Sequence, residues 1–268
     1  MFYQGHDQAG FEVSLKKVPE RIVCTVPSLT ELLFDLGLGE KVVGVTRFCV
    51  KPSGARKQAA IVGGTKDIDV KTVESLKPDL IIGNKEENRK EQINEIKNTT
   101  PVWLSEISNV QEACSAIEQL GHLTDTQSRA SLLNDQIQSA VKKLRQIPDT
   151  HKSVLYFIWK KPYMVAGRST YINSILDLCG LKNIAPDSES RYPQLSIDYI
   201  QKLQPQIILL SSEPYPFSSG DLHQITQKQD KAEGFLLNGE IFSWYGSRLI
   251  PALDSIRYFK MKLNKNSL

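Results

Sequence analysis

The sequence predicts an α/β fold made of two similar lobes with mostly parallel sheets, joined by one long helix. Three observations carry that expectation. The segment Glu31-Leu-Leu-Phe-Asp-Leu-Gly-Leu38 is echoed by Ser174-Ile-Leu-Asp-Leu-Cys-Gly-Leu181, in each case a helix ending at Gly. Val73-Glu-Ser-Leu-Lys-Pro-Asp-Leu-Ile-Ile82 is echoed by Ile200-Gln-Lys-Leu-Gln-Pro-Gln-Ile-Ile-Leu209, a helix end, a Pro and then an apolar strand. Between the two halves, Asp125 to Ile147 contains neither Gly nor Pro. Its apolar residues Leu133, Ile137, Val141 and Leu144 fall three or four apart, on one helical face. Such a helix would span roughly 35 Å, enough to act as a spine between lobes. The expected boundaries are an N-terminal lobe over 1–123, the spine over 124–148 and a C-terminal lobe over 149–268.

Taken in order, Gly10 to Leu15 alternates like a short edge strand. After Pro19, Arg21 to Val26 is an apolar, β-branched run expected as a buried strand. Ser28 and Glu31 have the spacing of a capping box, opening a helix that runs to Leu36 and stops at Gly37. Lys41 to Val45 is the next strand, Asp69 to Leu76 a helix, Asp79 to Gly83 a strand, Glu86 to Asn98 a charged helix and Pro101 to Leu104 a strand. Beyond the spine come a strand over Val154 to Trp159, helices over Thr170 to Cys179 and Ser196 to Leu203, and a strand over Gln206 to Ser211. A short strand at Glu240 to Phe242 and a helix over Pro251 to Leu263 close the chain. The basic stretch Lys260-Met-Lys-Leu-Asn-Lys-Asn266 is expected to be a frayed helix end.

Strands that alternate with helices form parallel sheets covered on both faces, here two Rossmann-like lobes. Ligands of such sheets sit outside the carboxyl ends of the strands, and two lobes make a cleft. The loops so selected are Pro27 to Thr30, Thr46 to Lys51, Asn84 to Asn88, Trp159 to Ser169, Ser212 to Phe217 and Ser243 to Arg248. They hold Phe48, Trp159, Tyr163, Tyr215, Phe217, Trp244 and Tyr245, and Tyr192 tips a further polar loop. Aromatic bodies with polar handles suit a large planar ligand, although such rings also cap lobe cores. Trp244 and Tyr245, followed by Gly246, Ser247 and Arg248, combine stacking surface, backbone donors and a cation; Arg248 could instead pair a helix end. Ser28 and Thr30 sit where a helix N-terminus favours an anion, although plain capping accounts for Ser28. Asn84 to Asn88 looks like a cap followed by an acidic first turn, or a cleft rim.

The 268 residues carry 40% hydrophobic and 24% charged side chains, proportions of a globular protein. The net charge of +3 is too small to imply nucleic acid. No apolar run approaches the roughly 20 residues a bilayer span requires. Met1-Phe-Tyr-Gln-Gly-His-Asp7 has neither the basic start nor the apolar centre of a secretory signal. Two expectations follow: a cytoplasmic chain, or an exported one whose leader was trimmed or mis-started. Cys24, Cys49, Cys114 and Cys179 show no metal spacing, and Cys49, next to Phe48 in a loop, is the thiol expected to be exposed. His6, His122, His151 and His223 are scattered, so no metal site is expected. Dinucleotide, P-loop, nucleophile-elbow and zinc-protease motifs are missing, which points away from an enzyme and from any catalytic cofactor.

Pro19-Glu-Arg-Ile-Val-Cys-Thr-Val-Pro-Ser-Leu-Thr-Glu-Leu-Leu33 resembles the opening of the helical-backbone class (class III) of ABC-transporter substrate-binding proteins. The likeness continues through Val42-Val-Gly-Val-Thr46, Val62-Gly-Gly64, Leu76-Lys-Pro-Asp-Leu-Ile-Ile82, Leu176-Asp-Leu-Cys-Gly-Leu-Lys-Asn-Ile184 and Tyr192-Pro-Gln-Leu-Ser196. That class handles vitamin B12, iron-siderophores and haem, and the vitamin B12-binding members look nearest. The resemblance implies a non-enzymatic, monomeric receptor for cobalamin, haem or a ferric siderophore, coupled to an ABC permease. It implies ligand contacts at Phe48, Tyr192, Trp244 and Tyr245 with Arg248 as a polar anchor, and Ser28, at its helix N-terminus, is expected as a second anchor. Of the two acids that dock such proteins to their permease, one falls on Lys71, a reversed charge, and the other on Asp198. The cysteine at Cys179 lacks the partner that the closing helix of the B12-binding members carries. The alternatives are a cytosolic carrier or sensor of a metal chelate with the same fold, not coupled to a permease, and a metal-dependent enzyme built on Cys49 and nearby carboxylates.

Overall fold

The computed structural model describes residues 1–227 and 232–265, and they divide into two α/β units. The N-terminal unit takes in Met1–Ile107, Gln111–Gln136 and Tyr245–Arg248; the C-terminal unit takes in Ser108–Val110, Ile137–Trp244 and the residues from Leu249 on.

The N-terminal unit opens with an antiparallel pair, β1 (Tyr3–His6) and β2 (Glu12–Leu15). Then come β3 (Ile22–Cys24), α1 (Pro27–Asp35), β4 (Val42–Val45), α2 (Ala55–Gln58), β5 (Ala60–Ile61), α3 (Val70–Ser75), β6 (Leu80–Asn84), α4 (Lys90–Lys97) and β7 (Val102–Ser105). The sheet order is β5-β4-β3-β6-β7, parallel throughout. Because helices cover parallel strands on both faces, every residue of the central strands β3 and β6 is buried. Val23, Val62, Ile81, Ile93, Ile96 and Leu104 form the core of this unit.

Helix α5 (Val110–Thr124) precedes α6 (Gln127–Arg145), which begins in the first unit and ends in the second. Asp125 adopts a left-handed φ of 60° and separates the two helices, so the long helix starts later than its Gly- and Pro-free sequence implies. Its 19 residues extend about 28 Å. Ile137, Val141 and Leu144 are buried as the periodicity predicts, and Leu133 is partly buried.

The C-terminal unit contains β8 (Ser153–Lys160), β9 (Tyr163–Val165), α7 (Tyr171–Leu178), β10 (Lys182–Asn183), β11 (Gln194–Leu195), α8 (Ile197–Leu203), β12 (Ile207–Ser211), α9 (Ser219–Thr226), β13 (Glu233–Leu237), α10 (Glu240–Ser243) and α11 (Leu249–Lys265). Its order is β11-β9-β8-β12-β13, with β10 also on β8. Contacts of β8 with β10 and β12, and of β12 with β13, are parallel; β8–β9 and β9–β11 are antiparallel. Leu155, Phe157, Val165, Ile200, Ile208 and Leu210 are its core.

The sequence repeat is a repeat of hydrogen bonds. At the end of α1, Gly37 has φ 82°, its N–H donates to Phe34 O, and Leu38 N–H donates to Leu33 O. At the end of α7, Gly180 has φ 71°, its N–H donates to Asp177 O, and Leu181 N–H donates to Leu176 O. Both are Schellman caps, which need a residue free to enter the left-handed region. The second echo is equally close. Lys77 and Gln204 both turn left-handed, at φ 48° and 47°, just before Pro78 and Pro205. The residue after each Pro then ties down a neighbouring strand: Asp79 Oδ1 accepts from Arg21 N–H at 2.9 Å, and Gln206 Oε1 from Ser153 N–H at 2.9 Å.

Several expectations are corrected. Ser28 does not cap α1: Pro27 occupies the first turn, Val26 is the N-cap, and no side chain caps it. The Glu31 carboxylate is engaged elsewhere, with Arg248. The charged helix begins at Lys90 rather than Glu86, because Asn84 ends β6 and folds the next residues into a turn. Glu240 to Ser243 is one helical turn, not a strand; the last strand is β13, whose Gly234-Phe-Leu-Leu run pairs with β12. Trp159 lies within β8 and Tyr163 within β9, so the expected loop from Trp159 to Ser169 is largely a hairpin. Lys260 is not in a frayed end. It is 2% exposed, and its ammonium donates to Asp149 Oδ1 at 2.6 Å and to Leu178 O at 3.2 Å, closing the end of α7. Asn266 lies outside the described residues. The sequence reading also passed over β1, α2, β5, α9, β10 and β11.

Candidate functional site

In the N-terminal unit the strand tips are occupied by short polar side chains. Asn84, at the end of β6, accepts on Oδ1 from the N–H groups of Glu86 and Glu87, at 2.8 and 2.9 Å. Its Nδ2 donates to Ser105 Oγ at 3.0 Å and to Tyr245 Oη at 3.1 Å. Asn88 Oδ1 in turn accepts from Asn84 N–H at 2.8 Å and from the Thr25 hydroxyl at 2.9 Å. Buried polar groups carry little cost once they are paired in this way.

Tyr245 enters this network from far along the chain. Its ring is 6% exposed, and its hydroxyl meets Glu87 Oε1 at 3.4 Å together with the Ser28 and Ser105 hydroxyls. Burial, reinforced by Glu87, pushes its phenol well above the ordinary range. The segment from Tyr245 to Arg248 reaches α1 because Gly246 permits the approach. Gly246 has φ 78°, and a Cβ there would meet Leu32 Cβ at 3.2 Å and Ser28 O at 3.4 Å. Arg248 completes the attachment, with Nε donating to Glu31 Oε2 at 2.9 Å and Nη2 donating to Glu31 Oε1. This fork-to-fork geometry is the strong form of a carboxylate pair.

Phe48 is different: it follows Thr46 at the tip of β4 and is 49% exposed, with the Arg47 guanidinium 5.1 Å from its ring centre. Cys49, expected to be exposed, is fully buried. The turn after Thr46 points its sulfur inward, where the hydroxyls of Thr30 (3.1 Å) and Thr46 (3.3 Å) hold it. Burial raises the Cys49 thiol, which disfavours the reactive thiolate. Cys24 is raised in the same way, and burial pushes Cys179 up to about 12. Among the described residues, no three His, Cys, Asp or Glu side chains gather as a metal site.

In the C-terminal unit the strand tips carry rings. Trp159 meets Tyr215 edge-on at 5.6 Å between centres, and Tyr215 meets Phe217 at 4.8 Å. The Lys160 ammonium beside them pairs with Asp221, whose carboxyl is lowered to about 2 by that contact and by the Ser218 hydroxyl and N–H. Trp244 belongs to this unit: its indole N–H donates to Glu213 Oε1 at 3.1 Å, next to the Ser243 hydroxyl at 2.8 Å. Tyr192 lines a concavity of about 590 Å³ with Met164, Ser190, Gln194 and Tyr199.

Of the six expected ligand residues, Ser28, Tyr245 and Arg248 are thus gathered on α1, with their polar atoms engaged inside the N-terminal unit. Phe48 is open at another strand tip of that unit. Tyr192 and Trp244 stand at separate places in the C-terminal unit. Sequence reasoning missed Glu31, Asn84 and Glu213 as the groups that hold Arg248, Tyr245 and Trp244. Only Asn84 left a local signal, its place between an apolar strand and an acidic turn. Among the described residues, no helix is long and apolar enough to cross a membrane.

Two α/β units, each organised by parallel strands with loops gathered at their carboxyl ends and joined through one long helix, are the architecture of a two-lobed binding protein. The family described as "Periplasmic binding protein" matches residues 22–242, and the chain belongs to it. The vitamin B12-binding protein of Vibrio cholerae is 28% identical over 244 residues, 88% of this chain and 87% of that protein. An uncharacterized ABC transporter substrate-binding lipoprotein of Bacillus subtilis, YvrC, is 29% identical over 76% of this chain and 67% of its own length. The solved periplasmic vitamin B12 binding protein BtuF of Vibrio cholerae shares the fold with a TM-score of 0.81 at 24% identity, covering 92% of this chain and 98% of that one. The periplasmic heme-binding protein RhuT of Roseiflexus sp. RS-1 has a TM-score of 0.75 at 21% identity, covering 90% and 97%.

Proposed function

We propose that this chain binds a cobalamin-like corrinoid, or a related flat metal chelate such as haem or a ferric siderophore, and delivers it to an ABC permease for uptake. The observation that carries the reading is the likeness to a vitamin B12-binding protein over 88% of the chain. The aromatic residues at the strand tips support it: Phe48 and Trp159 are well exposed, and Tyr192 and Trp244 are partly so. Rings of this kind stack on a planar macrocycle without reorganisation. On this reading Phe48, Tyr192 and Trp244 meet the ligand directly, while Tyr245, Ser28 and Arg248 shape the strand-tip surface beside it. The ligand is cargo, and the protein acts as a monomer in the periplasm or at the cell surface.

Lys71 and Asp198 are the second residues of α3 and α8, one in each unit, and both are exposed. We assign them to permease docking, with opposite charge demands on the partner. A permease that offers arginines at both places would meet repulsion at Lys71 and attraction at Asp198.

Calorimetric titration of the protein with cobalamin, cobinamide, haem and ferric siderophores tests the reading. A saturable heat for at least one chelate, weakened by replacing Phe48 or Trp244 with Ala, is the expected result. Absence of binding by all of them at millimolar concentration would overturn it.

A further inference from the structure

The stretch Arg47-Phe-Cys-Val-Lys-Pro-Ser-Gly-Ala-Arg-Lys57 holds four cations and no carboxylate. Its charge of +4 exceeds the +3 of the whole chain, so the remainder is close to neutral. The structure folds this stretch around a cavity of about 530 Å³, lined by Arg47, Val50, Ser53, Arg56, Lys57 and Ile61 with the backbone of Gly54. Val50 and Ile61 are large apolar side chains left open to solvent there. The cavity lining therefore combines two open apolar side chains with a cationic rim, and no acid lines it.

The rim is also held in place. Arg56 Nη1 donates to Arg47 O at 3.0 Å, which fixes one guanidinium against the turn that carries the other. Arg47 Nη2 donates to Asp67 Oδ2 at 2.7 Å and to Oδ1 at 3.0 Å, so one of the three lining cations is neutralised. Arg56 and Lys57 have no salt-bridge partner among the described residues. Two uncompensated cations beside open apolar side chains match a ligand with an apolar body and a carboxylate or phosphate group. The rim lies beside Phe48, through the Arg47 guanidinium over its ring.

We propose that this cavity is an anion subsite, in which Arg56 and Lys57 bind a carboxylate or phosphate substituent of the chelate whose ring Phe48 contacts. It rests on the proposed function and narrows the ligand class to chelates bearing an anionic arm. Two charge-assisted contacts of this kind correspond to roughly a ten- to hundredfold gain in affinity. The gain should fall with ionic strength, because the rim is open to solvent.

The test uses the Arg56→Gln/Lys57→Gln double variant, which removes both charges, keeps a polar side chain at each place and leaves the Arg47 guanidinium unchanged. Haem is compared with its dimethyl ester, and cobalamin with cobinamide, which lacks the nucleotide phosphate. The expected result is a ten- to hundredfold loss for the anionic member of the pair that binds and an unchanged affinity for its partner. Equal losses for both, or none for the anionic one, would overturn the proposal. Inorganic pyrophosphate, titrated without any chelate, separates this inference from the reading it rests on. Wild-type protein should bind it in the millimolar range and the double variant should not. If no chelate binds but pyrophosphate does so through Arg56 and Lys57, the chelate reading fails while the cavity stands as an anion site. If the two proteins respond identically to pyrophosphate, the anion site itself is overturned. Circular dichroism of the variant confirms that its fold is retained.

Discussion

The N-terminal unit closes its strand tips with hydrogen bonds between small polar side chains, whereas the C-terminal unit crowds aromatic rings there. Asn84, Asn88, Ser105 and Tyr245 form one buried network in the first. Trp159, Tyr215 and Phe217 form a run of edge-on rings in the second. Yet the two units share their helix caps and their left-handed residues before proline almost atom for atom. Duplication is thus retained where backbone geometry demands it and lost where the surface chemistry is set. The polar network makes one tip region rigid and specific, while rings offer area with little directional demand.

The sharpest test of this contrast concerns the ion pair that holds the late segment on the N-terminal unit. Arg248→Ala leaves Glu31 with a side chain only 14% exposed and no guanidinium partner. The expected loss is about 3 kcal/mol, the range for breaking a largely desolvated pair. Trp103 is fully buried in this unit, while Trp159 and Trp244 lie in the other. Urea unfolding followed by Trp103 fluorescence in a Trp159→Phe/Trp244→Phe background therefore reports this unit. A change below about 1 kcal/mol would show that the segment is held by packing alone.

A smaller effect distinguishes the C-terminal unit. The Asp221 carboxyl is lowered to about 2, so it contributes stability above its unfolded value near 4 that disappears as pH falls from about 4 to about 2. Lys160 is raised by the same contact, so its share is present below about pH 10 and is lost in alkali as the folded-state value is passed. Allowing for solvent at the pair, the acid limb amounts to about 1 kcal/mol. Urea midpoints measured between pH 5 and pH 2 should show this slope for the C-terminal transition and lose it in Asp221→Asn. An unchanged slope in that variant would assign the acid sensitivity to other carboxylates.

The smallest prediction probes what the units share. Lys77→Gly and Gln204→Gly relieve left-handed residues in equivalent turns. The left-handed cost of about 1–2 kcal/mol exceeds the entropy cost of glycine, so each variant should gain about 0.5 kcal/mol. Thermal midpoints should rise equally for both. A gain in one unit and a loss in the other would show that the turns are equivalent in shape but not in energy.

The repeat was legible because its signals are local. A Schellman cap needs a left-handed residue, and Gly37 and Gly180 announce it. The apolar, β-branched strands and the period of α6 announced the sheets and the long helix for the same reason. The reading failed where two patterns competed over a short distance. Ser28 and Glu31 have capping-box spacing, but Pro27 had already set the helix start. Ile241 and Phe242 suggest a short strand, but Asn238 accepts from Glu240 N–H where a helical turn begins.

The candidate site was legible as a set of residue types and not as an arrangement. Trp244 and Tyr245 are neighbours in sequence and were expected to act together, yet Glu213 holds the indole in one unit and Asn84 holds the phenol in the other. Arg248 and Glu31 lie 217 residues apart, and nothing near either one names its partner. Cys49 looked open beside an exposed ring and is enclosed by two threonine hydroxyls. The sequence by itself determined the two α/β units, their duplicated turns and the rings at the strand tips of the C-terminal unit, since backbone preference and apolar period act over a few residues. Tertiary structure alone decided which rings stay open, which polar groups are already taken, and that Arg47, Arg56 and Lys57 line a cavity. Those outcomes depend on contacts between distant segments, whose energies have no signature in local order.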